Sequence, residues 1–393
     1  MKQKQTRIPY SLASLVRYFL RLGATGFGGP VALIGYMHQD LVEDKKWISE
    51  DEYKEGLALS QLAPGPLAAQ LGIYIGFVHY GVIGATATGI AFIIPSFIMV
   101  VLLGIIYQHF GGLPWMQAIF YGVGAAVIGI VATSSYKLTV KSIGKFNIQS
   151  FKENALLWIF FIIAAFTTLY YEREDVLLLI GLGLIYVFYK APPQWLKKEH
   201  LNGVFIFIGI GAEITTSNKL VEIAMFFAKA GAFVFGSGLA IVPFLHSGVV
   251  TEHGWLTENE FVDAVAVAMI TPGPVVITVG FIGYLTAGFS GAVVAALATF
   301  LPCYLLTILP APYFKKIAKN QSIKAFVDGI TAAVIGALVG AVIVIALRTI
   351  VDIPTAILAM ATVLILVYSK KIKEPHIVLM AAFAGLLLKL LPF

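Results

Sequence analysis

The residues best suited to chemistry in this chain form two sets of glycine and proline breaks. Residues 26–30 read Gly-Phe-Gly-Gly-Pro and residues 64–66 read Pro-Gly-Pro. After 208 residues the pattern returns, as Phe-Gly-Ser-Gly at 235–238 and Pro-Gly-Pro at 272–274. Glycine opens backbone angles that other residues avoid, and paired prolines end one helix and suit the start of another. A helix that begins at such a break has unpaired N–H groups and a positive dipole end, which together favour an anion.

Basic and polar side chains beside the breaks could complete an anion site. Arg21 and Lys229 are aligned at the same spacing, and each precedes an aligned glycine by two residues. Ionisable groups inside apolar segments are costly and mark function, although snorkelling to the membrane surface is the alternative. The predicted substrate-binding residues are Arg21, Thr25, Gly26, Gly28, Gly29, Gln61, Gly65, Gln70, Lys229, Gly236, Ser237, Gly238, Thr271, Gly273 and Thr278.

Acidic residues precede each Pro-Gly-Pro break. Two pairs have the spacing of a capping box, in which a hydroxyl and a carboxylate start a helix: Ser49 with Glu52, and Thr257 with Glu260. We interpret these four as structural. Glu55 and Asp263 lie three residues further on and enter an apolar helix. A role in proton coupling or as a counter-charge therefore stands beside the alternative of a solvated first turn.

Both kinds of break also have a purely structural interpretation. Pro-Gly-Pro could be a kink that helps packing, and the glycine clusters could let helices approach closely. However, a helix over residues 67–80 would be about 21 Å long, too short to span a bilayer. The sequence therefore predicts a helix–break–helix hairpin. Because two aligned copies exist, a functional break is favoured over a kink, and irregular backbone at membrane depth must line water or lie within protein.

Composition excludes a soluble protein. The chain has 393 residues, of which 59% are hydrophobic and 12% charged, and a soluble fold carries about twice that charged fraction. Apolar runs of spanning or near-spanning length cover residues 82–107, 156–170, 176–189, 291–309 and 332–347. The polar, basic start has no small-residue cleavage site, so no removable signal peptide is predicted.

Few other partners are expected. The single cysteine, Cys303, rules out an intramolecular disulfide and a cysteine-based metal site, and neither a metal nor another cofactor is predicted. The net charge of +6 is explained by basic cytoplasmic loops, so no nucleic acid is expected. The predicted partners are the lipid bilayer and a small anion, and a homodimer is left open.

The fold class predicted is an all-α polytopic membrane protein with two homologous halves, residues 1–190 and 218–393, joined by a linker at 191–217. Each lysine-rich loop of one half aligns with a lysine-poor loop of the other, as residues 137–152 do with 348–352. Because basic loops stay in the cytoplasm, the halves form an inverted-topology repeat with broken or re-entrant helices. The crossing count stays open: either the segments at Phe19 and Phe227 cross fully, or residues 203–212 do.

At these motifs the sequence resembles the chromate transporter family in its long two-domain form. The resemblance rests on Gly-Phe-Gly-Gly-Pro at 26–30, on Gln-Leu-Ala-Pro-Gly-Pro at 61–66 with Gln70 after it, and on the echoes at 235–238, 271–274 and 281–284. It covers essentially the whole chain. It implies export of chromate across the plasma membrane of a bacterium or archaeon, conferring resistance, with sulfate as the close structural analogue.

Three alternatives remain beside a chromate exporter. The first is a carrier of sulfate or an organic anion, which geometry alone does not separate from chromate, since chromate and sulfate are tetrahedral dianions of similar size. The second is a passive anion channel. The third is a membrane-embedded enzyme, which is disfavoured because the sequence offers no nucleophile–base arrangement.

Overall fold

The computed structural model describes residues 10–27, 29–172, 175–191, 218–233, 238–314, 320–369, 372 and 374–390, and every regular element within them is helical. The first half contains eight α-helices in its described part, with a π-helical turn at His38–Asp44: α1 (Leu12–Thr25), α2 (Gly29–Met37), α3 (Glu50–Leu62), α4 (Leu67–Phe110), α5 (Pro114–Ser142), α6 (Ile148–Glu153), α7 (Ala155–Tyr171) and α8 (Val176–Lys190).

The second half repeats this order. Its helices in the described residues are α9 (Lys219–Ala232), α10 (Val242–His246), α11 (Glu258–Ile270), α12 (Thr278–Ile308), α13 (Gln321–Thr349), α14 (Ile353–Tyr368) and α15 (Glu374–Leu390). Short 3-10 segments lie at Gly238–Ile241, Val275–Ile277 and Ala311–Tyr313, and a π-helical turn lies at Ser247–Glu252. Apart from Ala191, the predicted linker lies outside the described residues.

Helix α4 is a hairpin of two antiparallel arms. The Thr88 hydroxyl donates to the Gly72 carbonyl at 2.9 Å, although 16 residues of straight helix would separate them by about 24 Å. The chain reverses at Gly81, whose φ of 59° and ψ of −149° are open essentially to glycine alone. Hairpin 1 therefore has a short arm, residues 67–80, and a long arm, residues 82–110.

Hairpin 2, formed by α12, repeats the device 207 residues later. Gly288 has a φ of 63° and a ψ of −156°, and it separates a short arm, residues 278–286, from a long arm, residues 289–308. Gly280 packs on Val100, and one turn later Tyr284 packs on Gly104, so this short arm runs parallel to the long arm of hairpin 1. The two aligned short arms consequently run in opposite directions.

A second reversal lies at each Pro-Gly-Pro break, since in the second half Asp263 before the break and Phe281 after it both contact Tyr107. In the first half, His79 at the end of the short arm contacts Glu52 at the start of α3, at 3.2 Å, while α3 ends at Leu62, next to the break. The helix–break–helix hairpin predicted from the sequence is thus observed. Both predicted capping boxes are also confirmed: Ser49 with Glu52 and Thr257 with Glu260 each make the reciprocal side-chain and backbone hydrogen bonds.

The two halves interlock through their long helices. Gly122 and Gly129 of α5 lie directly against α15 and α14 of the second half, and the aligned Gly329 and Gly336 of α13 lie against α8 and α7 of the first half. A β-carbon at Gly129 would meet the Ala359 carbonyl oxygen at 2.7 Å. Small residues allow this close approach. In a membrane, helices associate through such close packing, because lipid is as apolar as the side chains and the hydrophobic effect does not drive them together. Each half therefore completes the packing of the other.

The outer surface suits a lipid environment. Four helices are long and apolar enough to cross a membrane, by length and composition: Leu67–Phe110, Pro114–Ser142, Val275–Tyr313 and Gln321–Thr349. Two of these contain the hairpins, so their length divides between two arms. Large apolar side chains such as Ile98, Phe166 and Leu297 are more than half exposed. A soluble monomer rarely exposes such a surface, so these faces are expected to contact lipid.

Candidate oxyanion site at the helix breaks

The first break leaves a helix N-terminus inside the protein. Leu67, Ala68 and Ala69 open α4 with exposures of 4%, 3% and 0%, and Pro66 before them supplies no side-chain cap. The first backbone hydrogen bond of the helix runs from the Gln70 N–H to the Pro66 carbonyl. No described residue accepts a hydrogen bond from the three earlier N–H groups. Buried, uncapped helix starts are exceptional, and their dipole favours an anion.

Gln70 braces this break. Its side chain is fully buried, and its Nε2 donates to the Pro64 carbonyl at 2.8 Å. Gly65 between them has a φ of +141°, and a β-carbon there would stand 2.7 Å from Gln70 Nε2. Among the described residues, the Gln70 Oε1 atom has no hydrogen-bond partner. In this structure the Nε2 donors of Gln70 are directed at the loop backbone, and its free oxygen is an acceptor.

The second break is held by the first half of the chain. The Gly273 N–H donates to the Gly26 carbonyl at 2.9 Å, and the Ser96 hydroxyl donates to the Gly23 carbonyl at 3.3 Å. Gly273 has a φ of +95° and lies directly against Ser96. The predicted residues Gly26 and Gly273 are therefore brought together, although the Gly273 amide is occupied in this state.

Sequence reasoning missed two residues that reach across the halves. Ser96 on the long arm of hairpin 1 contacts Gly273, and Cys303 on the long arm of hairpin 2 contacts Gly65. Both side chains are fully buried. The signal was present, because Pro95-Ser96 and Pro302-Cys303 are aligned at an interval of 207 residues. Each long arm thus places a small side chain against the break of the opposite half.

The predicted threonines satisfy their hydroxyls within the chain's own backbone. Thr25 donates to Arg21 at 2.8 Å, Thr271 to Val267 at 2.6 Å and Thr278 to Val275 at 2.7 Å. Gly238 packs against Val275 and Val276, just after the second break, while a β-carbon built at Gly29 would meet no other described residue within 4 Å. Gly28, Gly236 and Ser237 lie outside the described residues.

The predicted cations lie on the first helix of each half. Arg21 is exposed on α1, Lys229 is half-buried on α9, and neither forms an ion pair with another described residue. Two residues after each cation, an aligned glycine packs on a long arm, Gly23 on Phe92 and Gly231 on Thr299. Within the described structure, the two cations share no hydrogen-bond or ion-pair partner. Gln61 is exposed.

Both aligned acids interact with tyrosines. The Tyr107 hydroxyl donates to Asp263 Oδ2 at 2.7 Å, and Tyr74 interacts electrostatically with Glu55. Asp263 is 7% exposed, whereas Glu55 is half-buried. The alternative of a solvated first turn therefore does not describe Asp263. The sequence aligned the two acids but gave no sign of their tyrosine partners, which come from other helices.

An ionic network joins the halves at one surface. Arg348 Nη1 donates to Glu258 Oε2 at 2.8 Å, Arg348 Nη2 contacts Glu172, and His246 contacts Glu258 at 2.7 Å. Burial raises the pKa of Glu258, but the hydrogen bonds from His246 and Arg348 outweigh it and leave the pKa below its usual value. The aligned pair His38 and Glu50, at 2.9 Å, forms no ion pair with an arginine of the described residues.

An enclosed space between α5 and α13 does not suit an oxyanion. It measures about 10 Å³ and is lined by apolar side chains, among them Val127, Phe261 and Val342. It has room for about one water molecule and offers no hydrogen-bond partner. The buried start of α4 offers the opposite chemistry, with backbone donors, a positive dipole end and a braced loop.

Comparison with known proteins agrees with this architecture. The sequence profile of the family described as "Chromate transporter" matches residues 13–188 and 221–386. The chromate transport protein of Cupriavidus metallidurans is 60% identical over 381 residues, covering 96% of this chain and 93% of that protein. A probable chromate transport protein of Synechococcus elongatus is 54% identical over 387 residues, covering 96% of both. An uncharacterized transporter of Methanocaldococcus jannaschii is 30% identical over 394 residues, covering 96% of this chain and 94% of that protein.

No solved structure gives a significant match. The repeated profile coincides with the two halves that the hairpins define, and the apolar helices identify a multi-pass membrane protein. Family members are transporters, so the prediction that this protein is not an enzyme is confirmed. The chain belongs to the chromate transporter family.

Proposed function

We propose that this protein exports chromate from the cytoplasm and that the buried start of α4 is its main oxyanion site. The observation that carries the proposal is the set of three buried N–H groups at Leu67, Ala68 and Ala69, which no side chain of the described residues caps. A tetrahedral dianion accepts several hydrogen bonds at once and gains from the helix dipole. Two relatives that span nearly the whole chain are named for chromate transport, which supports the choice of oxyanion.

The contacts between halves support an alternating-access cycle. Each long arm contacts the break of the opposite half, through Cys303 at Gly65 and through Ser96 at Gly273. Aligned short arms run in opposite directions, so we propose that the halves are inverted and that both helix–break–helix hairpins are re-entrant. Rocking of one half against the other would then expose the breaks first to one side of the membrane and then to the other.

Arg21 and Lys229 are proposed to draw the anion toward the breaks. Each lies half a turn before a glycine that packs on a long arm, and α1 presents Arg17, Arg21 and Thr25 on one exposed face. An exposed basic stripe on a helix of a membrane protein suits a wet path better than lipid. The attraction acts on any small anion, so we propose that sulfate competes with chromate.

Export follows the membrane potential. An inside-negative potential of 100 mV favours the exit of each negative charge by about 2.3 kcal/mol. A cell that expels a toxic oxyanion in this way gains resistance to it. Organic anions remain the alternative substrate class, and competition separates them from inorganic oxyanions.

The test is uptake of radiolabelled chromate into everted membrane vesicles, whose lumen corresponds to the cell exterior. We expect wild type to accumulate chromate, and the double variant Arg21→Gln with Lys229→Gln to lose at least about tenfold in rate, equivalent to 1.4 kcal/mol. The matched control is Lys54→Gln with Lys219→Gln, which removes two cations paired at the surface with Glu50 and Glu222. Accumulation that is unchanged in the first variant would reject the cation role.

Two further measurements in the same vesicles identify the substrate class and the transport mechanism. Excess sulfate should slow chromate uptake, whereas excess acetate or citrate should not. Chromate uptake that does not saturate with concentration and is not stimulated by chromate on the opposite side would indicate a passive channel and contradict the proposal.

A further inference from the structure

Asp263 is a buried carboxyl that oxyanion transport by itself does not require. It lies on α11 with 7% of its surface exposed, among apolar neighbours such as Phe261 and Val262. Its hydrogen-bond donor is the Tyr107 hydroxyl, at 2.7 Å, on the long arm of hairpin 1. The Tyr107 ring also packs on Phe281, with ring centroids 5.5 Å apart. The carboxyl therefore lies in a contact between the two halves.

The surroundings of Asp263 disfavour its ionised form. The titratable groups that act on its carboxyl are Tyr107 and the neighbouring acid Glu260, one turn earlier on α11. Within the described part of the chain, no cation pairs with Asp263, because Arg348 on α13 pairs with Glu172 and Glu258, and Lys389 on α15 lies over the Tyr121 ring. An ionised carboxylate without a cation is costly to bury. A bound proton removes that cost.

The pseudo-symmetric acid is held differently. Glu55 interacts with Tyr74, which lies on the short arm of hairpin 1 in the same half. At the aligned positions both tyrosines are replaced by phenylalanine: Phe281 stands in place of Tyr74, and Phe314 in place of Tyr107. Each acid thus has one tyrosine, but the tyrosine of Asp263 belongs to the opposite half. Relative motion of the halves would therefore break the Asp263 contact and leave the Glu55 contact in place.

We propose that Asp263 is a proton-binding site that takes up one proton as the oxyanion binds, with Tyr107 as the residue that sets its proton affinity. The inference rests on the proposed function. The step is simple: the carboxylate accepts a proton from water, and an O–H bond forms on Asp263. Asp263 lies about 12 Å along α11 from the second break, and the negative charge of a dianion that arrives between the two breaks favours the protonated acid. Proton and anion consequently travel together.

The experiment measures protons taken up when chromate binds. Purified full-length protein in weakly buffered detergent receives chromate, a pH-indicator dye reports proton uptake, and equilibrium dialysis of the same samples reports bound chromate. At an alkaline pH, at which resting Asp263 is ionised and chromate is the dianion, we expect wild type to take up as much as about one proton per bound anion beyond the blank. Asp263→Asn should lose this uptake, whereas Glu55→Gln and the exposed-acid control Asp51→Asn should retain it.

A second variant keeps the test decisive if Asp263→Asn does not fold. Tyr107→Phe keeps the ring and removes the donor that stabilises the carboxylate, so the pH of maximal uptake should move upward. A merely structural tyrosine would not move this profile. Uptake in Asp263→Asn equal to wild type, or an unmoved profile in Tyr107→Phe, would overturn the proton site. Failure of wild type to bind chromate would instead reject the proposed function, and the inference with it.

Discussion

At the scale of single residues, the first break depends on Gln70. Its amide donates to the Pro64 carbonyl, and its side chain fills the space beside Gly65. This contact fixes a loop whose glycine already occupies a backbone region closed to other residues, with a φ of +141°. The N–H groups of Leu67, Ala68 and Ala69 are available to bind an anion because no carbonyl of the loop accepts a hydrogen bond from them.

Replacing Gln70 with leucine should therefore disturb the break. The Pro64 carbonyl would lose its buried donor, so we expect a loss of about 1–3 kcal/mol in the free energy of unfolding and a fall in chromate transport. The matched control is Gln117→Leu, since Gln117 is exposed on α5 and lies outside the predicted site. Thermal unfolding in detergent and vesicle uptake measure the two effects. Equal behaviour of the two variants would show that Gln70 does not brace the loop.

Glu258 should give the protein a pH-dependent stability. Its pKa in the folded protein lies below the usual 4.5 because hydrogen bonds from His246 and Arg348 outweigh the effect of burial. Such a carboxylate contributes stability above its unfolded pKa and loses it as the pH falls through the folded pKa.

Glu258→Gln should accordingly cost about 1 kcal/mol at pH 7, and its stability should fall less than that of wild type below pH 4.5. Thermal unfolding at several pH values measures both. Parallel pH curves for variant and wild type would contradict the role given to this carboxylate.

Residue types alone predicted some roles and not others. The capping boxes at Ser49 and Thr257 followed from local spacing, because the interacting groups are three residues apart. The hydrogen bonds of Thr25, Thr271 and Thr278 to carbonyls of their own turns were not predicted, and their substrate-binding role stays a prediction. Ser96 and Cys303 were missed because the breaks they contact, at Gly273 and Gly65, are more than 170 residues away in sequence.

At the scale of elements, each of the two hairpins, α4 and α12, takes part in both breaks. Each short arm begins just after the break of its own half, while each long arm contacts the break of the opposite half. The sequence predicted the reversal at Pro-Gly-Pro because two prolines forbid a continuous helix. It did not predict the reversals at Gly81 and Gly288, since isolated glycines occur freely inside membrane helices.

Cys303 is a native reporter of this contact, because the chain has one cysteine. It is fully buried against Gly65, so a membrane-impermeant maleimide should label it slowly at rest. Turnover with chromate should accelerate labelling several-fold, from one side of the membrane. In Cys303→Ser with Ser96→Cys, the new thiol should label from the opposite side.

The outcome decides whether the halves are inverted. Labelling of both thiols from the same side would contradict the inverted arrangement. Labelling that chromate leaves unchanged would contradict movement of the long arms. Denatured protein, in which the thiol is accessible, gives the control for complete labelling.

At the scale of the whole molecule, the halves are interdependent. α5 packs against α14 and α15, and α13 packs against α7 and α8, so neither half buries its own long helix alone. The duplication was visible in the sequence. The packing of each long helix against the opposite half was not, because a sequence repeat does not show which copy a helix packs against. The Arg348 link between Glu172 and Glu258 adds an ionic contact to the same interface.

Separate expression of the halves should show this dependence. Residues 1–190 and 218–393, co-expressed as two chains, should co-purify, while either half alone should be degraded or aggregate because its small-residue helix faces stay uncovered. Pull-down of a tagged first half measures the association. A half that is monodisperse and stable alone would argue against interlocked packing.

The central claim is that a buried helix start, stripped of capping groups by a Pro-Gly-Pro break, holds the transported oxyanion. The most direct measurement is the anomalous signal of chromium in crystals of the protein grown with chromate. The peak should lie within hydrogen-bond distance of the N–H groups of Leu67, Ala68 and Ala69. A peak confined to the surface lysines of residues 137–152, with none at the start of α4, would contradict the claim.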